Sequence, residues 1–250
     1  MIITTSLASP DKSISHLVQS FWMLENPSGQ SVESTILPDG MIDLFVLRRS
    51  YTTPFETVLK GIETVPGPAI IPPGIKMFAI GFKPLAVEYI LQTSIAGIRN
   101  IGQPLTDPHW QFDPEDLKSF DLFTKAATRK INTTPSIPID PRKQQLFDLL
   151  LTHNGALTVQ ELSEKVFWSA RQINRYFNQR FGLSLKAYSN IIRFRASLQH
   201  IKEGKLFPEQ NFFDQAHFIK EVKKLAGVAP KELKDNKNDR FLQLSVLPKK

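Results

Sequence analysis

The chain has 250 residues, no cysteine, 41% hydrophobic and 10% aromatic residues, and a formal net charge of +7. This apolar content supplies real cores and excludes global disorder, and the lack of cysteine excludes disulfides, thiolate metal sites and cysteine nucleophiles. The charge is uneven: residues 1–140 carry 11 Lys/Arg against 14 Asp/Glu, whereas residues 141–250 carry 20 against 10.

The basic excess therefore belongs to the C-terminal half, as a phosphate-facing module requires. The start of the chain, MIITTSLASPDK, lacks the basic region of a signal peptide and its apolar run is too short for one. Every apolar run is broken by Pro, Gly or charge before it reaches membrane-spanning length. The expectation is a soluble, cytoplasmic protein with no membrane partner.

Residues 1–83 read as β. The runs VQSFWML, TILPDG, IDLFVL, TVLKGIE and IKMFAIGF are rich in branched and aromatic residues, and turn-formers separate them about every ten residues. That spacing predicts a small antiparallel barrel or sandwich. Pro66, Pro68, Pro72 and Pro73 predict a stiff loop before the last strand. Pro84 then opens a predicted helix, LAVEYILQTSIAG, closed by Gly97. A further helix start is predicted at Asp113-Pro114-Glu115-Asp116, where a cap, a fixed φ and acids meet the helix dipole. Leu117, Phe120 and Phe123 give that segment, to about Lys130, an apolar stripe for its own domain or for a dimer. Residues 132–141, NTTPSIPIDP, hold three prolines and no periodicity, which predicts a semi-rigid linker between domains.

Arg142 to His153 reads as the first helix of the second domain. Leu162 to Gly182 then reads as helix, tight turn, helix. Thr158 with Glu161 and Ser169 with Gln172 form two capping boxes. Leu162, Val166, Ile173 and Phe177 fall on inward positions. Arg171, Asn174, Arg175 and Asn178 recur at i, i+3, i+4 and i+7 on another face of the second helix. Such a face suits a DNA major groove, where Arg grips guanine and Asn grips adenine; an ordinary solvated helix pair has the same pattern. Ser184 caps a long helix to about Glu203, and Asp214 caps QAHFIKEVKKLAG, with Phe218, Val222 and Leu225 inward. Pro230 begins a last turn, and residues 236–250 read as a polar, loosely held tail.

These residues carry a family resemblance. Residues 142–235 resemble the DNA-binding domain of AraC-type (AraC/XylS) transcriptional regulators, which implies an all-α domain with two helix-turn-helix units. The first unit carries Leu162-Ser163, S-x-R-x-I-x-R-x-F from Ser169, then Gly182 and Leu183-Ser184. The second carries F-x-D-Q-A-H-F from Phe212, then Lys223-Lys224, Gly227 and Pro230. Residues from about 14 to 105 resemble the sensor domain attached to some of these regulators, through ILPDGMIDLFVL and IGFKP. The chain departs from the pattern at Ser163 (usually Ala), Asn211 (usually Gly) and Ala229 (usually a Ser/Thr cap). Lys205 to Gln210 is also too short, and holds Pro208, for the usual helix there.

Taken together, the expectation is a two-domain protein. A β-rich sensor or dimerisation domain with C-terminal helices spans 1–131, a linker 132–141, a double helix-turn-helix domain 142–235, and a tail 236–250. For base contact the candidates are Arg171, Asn174, Arg175, Gln215 and His217. For phosphate contact they are Arg180, Lys186, Lys220, Lys223 and Lys224. Phe21, Trp22, Phe45 and Phe78 are candidates for a ligand pocket, or simply for core. The implied partner is double-stranded DNA. RNA polymerase, an unidentified small-molecule effector and a second copy are compatible with the reading, and no cofactor or metal is expected. The five histidines are scattered, no Gly-rich phosphate loop is present, and Asp39, four residues before Asp43, reads as part of a turn, Pro38-Asp39-Gly40, rather than half of an acid/base pair, so an enzyme is not expected. The competing function is an adaptor whose helix-turn-helix domain has lost DNA binding.

Overall fold

In the computed structural model, residues 3–50, 52–135, 137–206, 212 and 214–246 are described. The N-terminal half contains strands β1 (Thr4–Ala8), β2 (Val18–Glu25), β3 (Val32–Ile36), β4 (Ile42–Arg48), β5 (Glu56–Lys60), β6 (Gly67–Ile71), β7 (Lys76–Phe82) and β8 (Gly102–Pro104). Six of them form an antiparallel sheet in the order β1-β2-β7-β4-β5-β8, and β3 pairs with β6 in a separate two-stranded sheet. One expectation is corrected here. The segment expected as a proline-stiffened loop contains β6, in which Pro68 lies opposite Thr35. With one partner strand, β6 is an edge that tolerates a missing N–H donor.

Register decides which face each side chain serves. Phe21 pairs with Ile80, and Phe78 lies between Met23 and Val46, so these residues share one face. Helix α2 (Phe120–Thr133) covers that face, and Phe123 stacks on Phe78 at 5.0 Å between ring centroids. Trp22 and Phe45 both lie opposite Ala79 on the other face, with their rings edge to face at 5.5 Å. The four aromatics expected around one ligand pocket are therefore divided by the sheet. Alternation along a strand forces this separation on the adjacent Phe21 and Trp22.

Two predicted helices differ in extent. Helix α1 ends at Tyr89 (Leu85–Tyr89) rather than near Gly97. At Gln92 the backbone turns left-handed (φ 48°), and the amides of Leu91 and Thr93 fold back onto the carbonyls of Ala86 and Val87, which ends the helix. Helix α2 begins after Ser119, whose hydroxyl accepts the Leu122 amide. The Asp113-Pro114 signal makes only tight turns, although Leu117 and Phe123 are buried as predicted.

The C-terminal half is helical: α3 (Pro141–Thr152), α4 (Val159–Val166), α5 (Ala170–Phe181), α6 (Leu185–Lys202), α7 (Gln215–Ala226), α8 (Pro230–Asp235) and α9 (Leu242–Val246). Its buried apolar residues and most of those of the β half form one continuous core, while Leu24, Ile71 and Ile75 form a second, smaller cluster. Tyr188 of α6 is fully buried and donates its hydroxyl to the Gly40 carbonyl, 3.3 Å away. Gly40 has φ +77°, and a Cβ there would lie 2.7 Å from Ile192 Cδ1. Only glycine meets both conditions.

The segment expected as a loose tail is also corrected. Phe241 and Leu244 are buried, and Phe241 forms a parallel bridge with Thr35 of β3. Gln243 exchanges two hydrogen bonds of 2.8 Å with the Leu37 backbone. Burial of Phe241 and Leu244 outweighs the polar composition around them.

Candidate nucleic-acid interface

The helix pair α4–α5 is built by its caps. Thr158 and Glu161 bond reciprocally at the start of α4, and Ser169 and Gln172 do so at the start of α5. Leu162, Val166, Ile173 and Phe177 are buried. The rings of Phe147, Tyr176, Phe177, Phe181 and Tyr188 lie within 6.5 Å of one another in successive contacts, and clamp α5 onto α3 and α6. Trp168, in the turn, packs at 5.4 Å on Tyr176, with the Arg142 guanidinium over its ring. It is a packing residue.

This scaffold leaves Arg171, Arg175 and Asn178 exposed. Asn174 is half-buried and committed to the backbone. Its amide donates to the Ala170 carbonyl, and its oxygen accepts the Leu185 amide at 3.2 Å. It therefore holds the α5–α6 junction, and base contact would cost it both bonds. Arg180 differs from expectation more sharply. Its Nη1 donates to the Thr93 carbonyl at 2.9 Å and its Nη2 lies 3.7 Å from Glu88, so it faces the N-terminal half rather than a phosphate.

The C-terminal end of α5 is in fact capped by the other half of the chain. The Ser94 hydroxyl donates to the Gln179 carbonyl and the Ile95 amide to the Arg180 carbonyl. Arg99 donates to the Gly182 carbonyl. These are the orphan carbonyls that end any α-helix. Residues 88–99 thus matter for how α5 is held, and the sequence signals no such role for them.

Helix α7 starts at Asp214, whose carboxylate accepts the His217 amide at 2.7 Å. Phe218, Val222 and Leu225 are buried, while Gln215, Lys220, Lys223 and Lys224 are exposed. His217 and Lys224 line a cleft of about 590 Å³ with Lys186, Asn190, Arg193 and Glu221, closed on one side by the start of α4. Within it Asn190 donates to Glu221, and burial lowers the pKa of Arg193. The cleft is net cationic, with Lys186, Arg193 and Lys224 against Glu221. Lys205 to Gln210 was the segment too short for a helix; its residues 207–210, like Asn211, lie outside the described residues. Helix α8 starts at Ala229 with no side-chain cap, as the missing hydroxyl predicts.

A family model for a domain of unknown function, DUF6597, matches residues 7–102. No curated protein matches the chain. Among solved structures, one of ToxT from Vibrio cholerae aligns over 93% of this chain and 97% of its own, at 12% identity and a TM-score of 0.42. A structure of ToxT from Vibrio cholerae O395 bound to (E)-4-(8-methylnaphthalen-1-yl)but-3-enoic acid aligns over 98% of this chain and 100% of its own, at 13% identity and a TM-score of 0.44.

No group of three or more His, Cys, Asp or Glu residues suited to a metal occurs among the described residues. No described helix is long and apolar enough to cross a membrane. The cationic surfaces of α5 and α7 remain the chemically distinctive feature of the C-terminal half.

Proposed function

We propose that this protein is a sequence-specific DNA-binding transcription regulator of the AraC type, in which α5 and α7 enter successive major grooves. Two such grooves on one DNA face lie about 34 Å apart. The observation that carries the reading is the pair Arg171 and Arg175. Both are exposed on a helix whose opposite face is locked into the core, so a rigid rod presents two guanidiniums to solvent. Guanidinium forks on a helix of groove-fitting width are the chemistry of guanine readout. Gln215 and His217, in the first turn of α7, are the second pair of base contacts, and Lys186, Lys220, Lys223 and Lys224 meet phosphates. The N-terminal half acts through residues 88–99, which hold the end of α5.

The test is selection of random duplex DNA by the full-length protein, followed by titration across a salt series. Enrichment of a defined sequence, with affinity that falls steeply as salt rises, is the expected result. No binding even at low salt would overturn the proposal in favour of an adaptor function.

A further inference from the structure

Phe167 occupies the turn between α4 and α5 in the left-handed region, with φ 51° and ψ 41°. The other non-glycine residues at positive φ are Gln92, Asn100, Asn154, Asn236 and Asn238 among the described residues. Asn tolerates this region because its short side chain bonds locally; a bulky aromatic does not. The left-handed turn ends α4, with the Phe167 and Trp168 amides both bonded to the Ser163 carbonyl, a task that Gly or Asn performs at less cost; the ring itself is solvated, since Phe167 is 89% exposed, the highest value among the exposed large hydrophobics described. Both features work against stability. A strained, solvated ring is explained by contact with something outside the chain.

Its surroundings narrow the partner. Phe167 lies two residues before Ser169, the cap of α5, and four before Arg171. Lys165, Arg171 and Arg175 around it in sequence are all exposed, as is one nearer acid, Glu164. A protein partner would have to desolvate Lys165 and Glu164 beside one apolar ring, and both residue types are depleted from protein–protein interface cores. A DNA duplex suits the same surface: phosphates meet the cations, and between them lie the only apolar parts of its outer surface, the deoxyribose faces and the thymine methyls.

We infer that Phe167 is a DNA-contacting residue, resting its ring on an apolar part of the duplex beside the groove that receives α5. This rests on the DNA-binding function proposed above, and it adds a contact that carries no charge. An apolar contact releases no counterions, so it strengthens binding without steepening the salt dependence.

The test compares full-length parent, Phe167→Gly and Phe167→Asn on a duplex selected by the parent, with thermal melting of each protein. Both variants are expected to melt no lower than the parent, because the strain is relieved. Both are expected to bind about five- to thirtyfold more weakly, the range for losing part of a buried aromatic side chain. The slope of affinity against salt should be unchanged. Replacing thymines singly by deoxyuridine separates the two apolar sources. A loss of about fourfold at one position, in the parent and not in Phe167→Gly, identifies a methyl contact. No loss at any position, with the variants still weaker, identifies deoxyribose. Variants that bind as tightly as the parent overturn the inference and leave the DNA-binding function standing; a parent that binds no DNA sinks both.

Discussion

Lys143 at the start of α3 places its Nζ 2.7 Å from Oε1 of Glu88 on α1, and both side chains are largely buried. The pair joins the halves of the molecule at the point where Arg180 also approaches Glu88, 3.7 Å away. One carboxylate thus serves two cations, and Lys143 in addition lies over the Tyr176 ring at 4.9 Å.

Glu88→Gln therefore leaves two cations facing a neutral amide. It should destabilise the protein by about 1–3 kcal/mol, below the range for a fully buried pair because some solvent remains. A urea titration reads the loss. Hydrogen exchange at the Ile95 amide, which bonds to the Arg180 carbonyl, should accelerate. An unchanged midpoint would show that the contact is incidental.

Removing residues 240–250 should cost about 3–6 kcal/mol, since full burial of each large apolar side chain contributes about 1.5–3 kcal/mol and Phe241 and Leu244 are both lost. The Thr35 amide also loses its 2.6 Å bond to the Arg240 carbonyl. A tail with no structural part would give a truncated protein with the parent's melting temperature.

Asp43 lies on the same sheet face as Trp22, whose indole N–H is 3.4 Å from its Oδ1. Burial first, and the charge of Asp39 second, push its carboxyl up to about 7, against the pull of Lys60 and the indole. Between about pH 4 and pH 7 the folded protein keeps a proton that the unfolded chain has lost. This group's contribution is thus complete at acid pH and declines as pH rises to about 7. Asp43→Asn, which carries no charge at any pH, should flatten that decline and leave the protein more stable than the parent at pH 8. Parallel pH profiles for the two proteins would refute this.

Two substitutions separate reading from gripping in the proposed complex. Arg175→Ala should lose about 1–3 kcal/mol on the selected site and relax specificity at one position. Lys224→Ala should weaken selected and random duplexes alike and reduce the salt slope by about one. If Arg175→Ala discriminates as the parent does, α5 is not in the groove.

Local physics decided most of the C-terminal half from the sequence alone. Two capping boxes, an Asp cap, glycines at helix ends and a 3.6-residue apolar period act within one or two turns of chain, so Thr158, Ser169, Gly182 and Asp214 mark their helices without further help. The charge asymmetry and the exposed Arg171 and Arg175 belong to the same class of signal. Contacts between distant residues were a matter for the tertiary structure. The sheet's register put Phe21 and Trp22 on opposite faces, the β3 edge captured Phe241, and residues 88–99 turned Arg180 from a surface cation into an inter-half contact. Asn174 reads as a base-gripping amide along the sequence and becomes a junction residue once Leu185 is beside it. The reason is physical: a cap or an amphipathic stripe is satisfied by near neighbours, whereas burial and pairing depend on which remote surface folding brings within 3 Å.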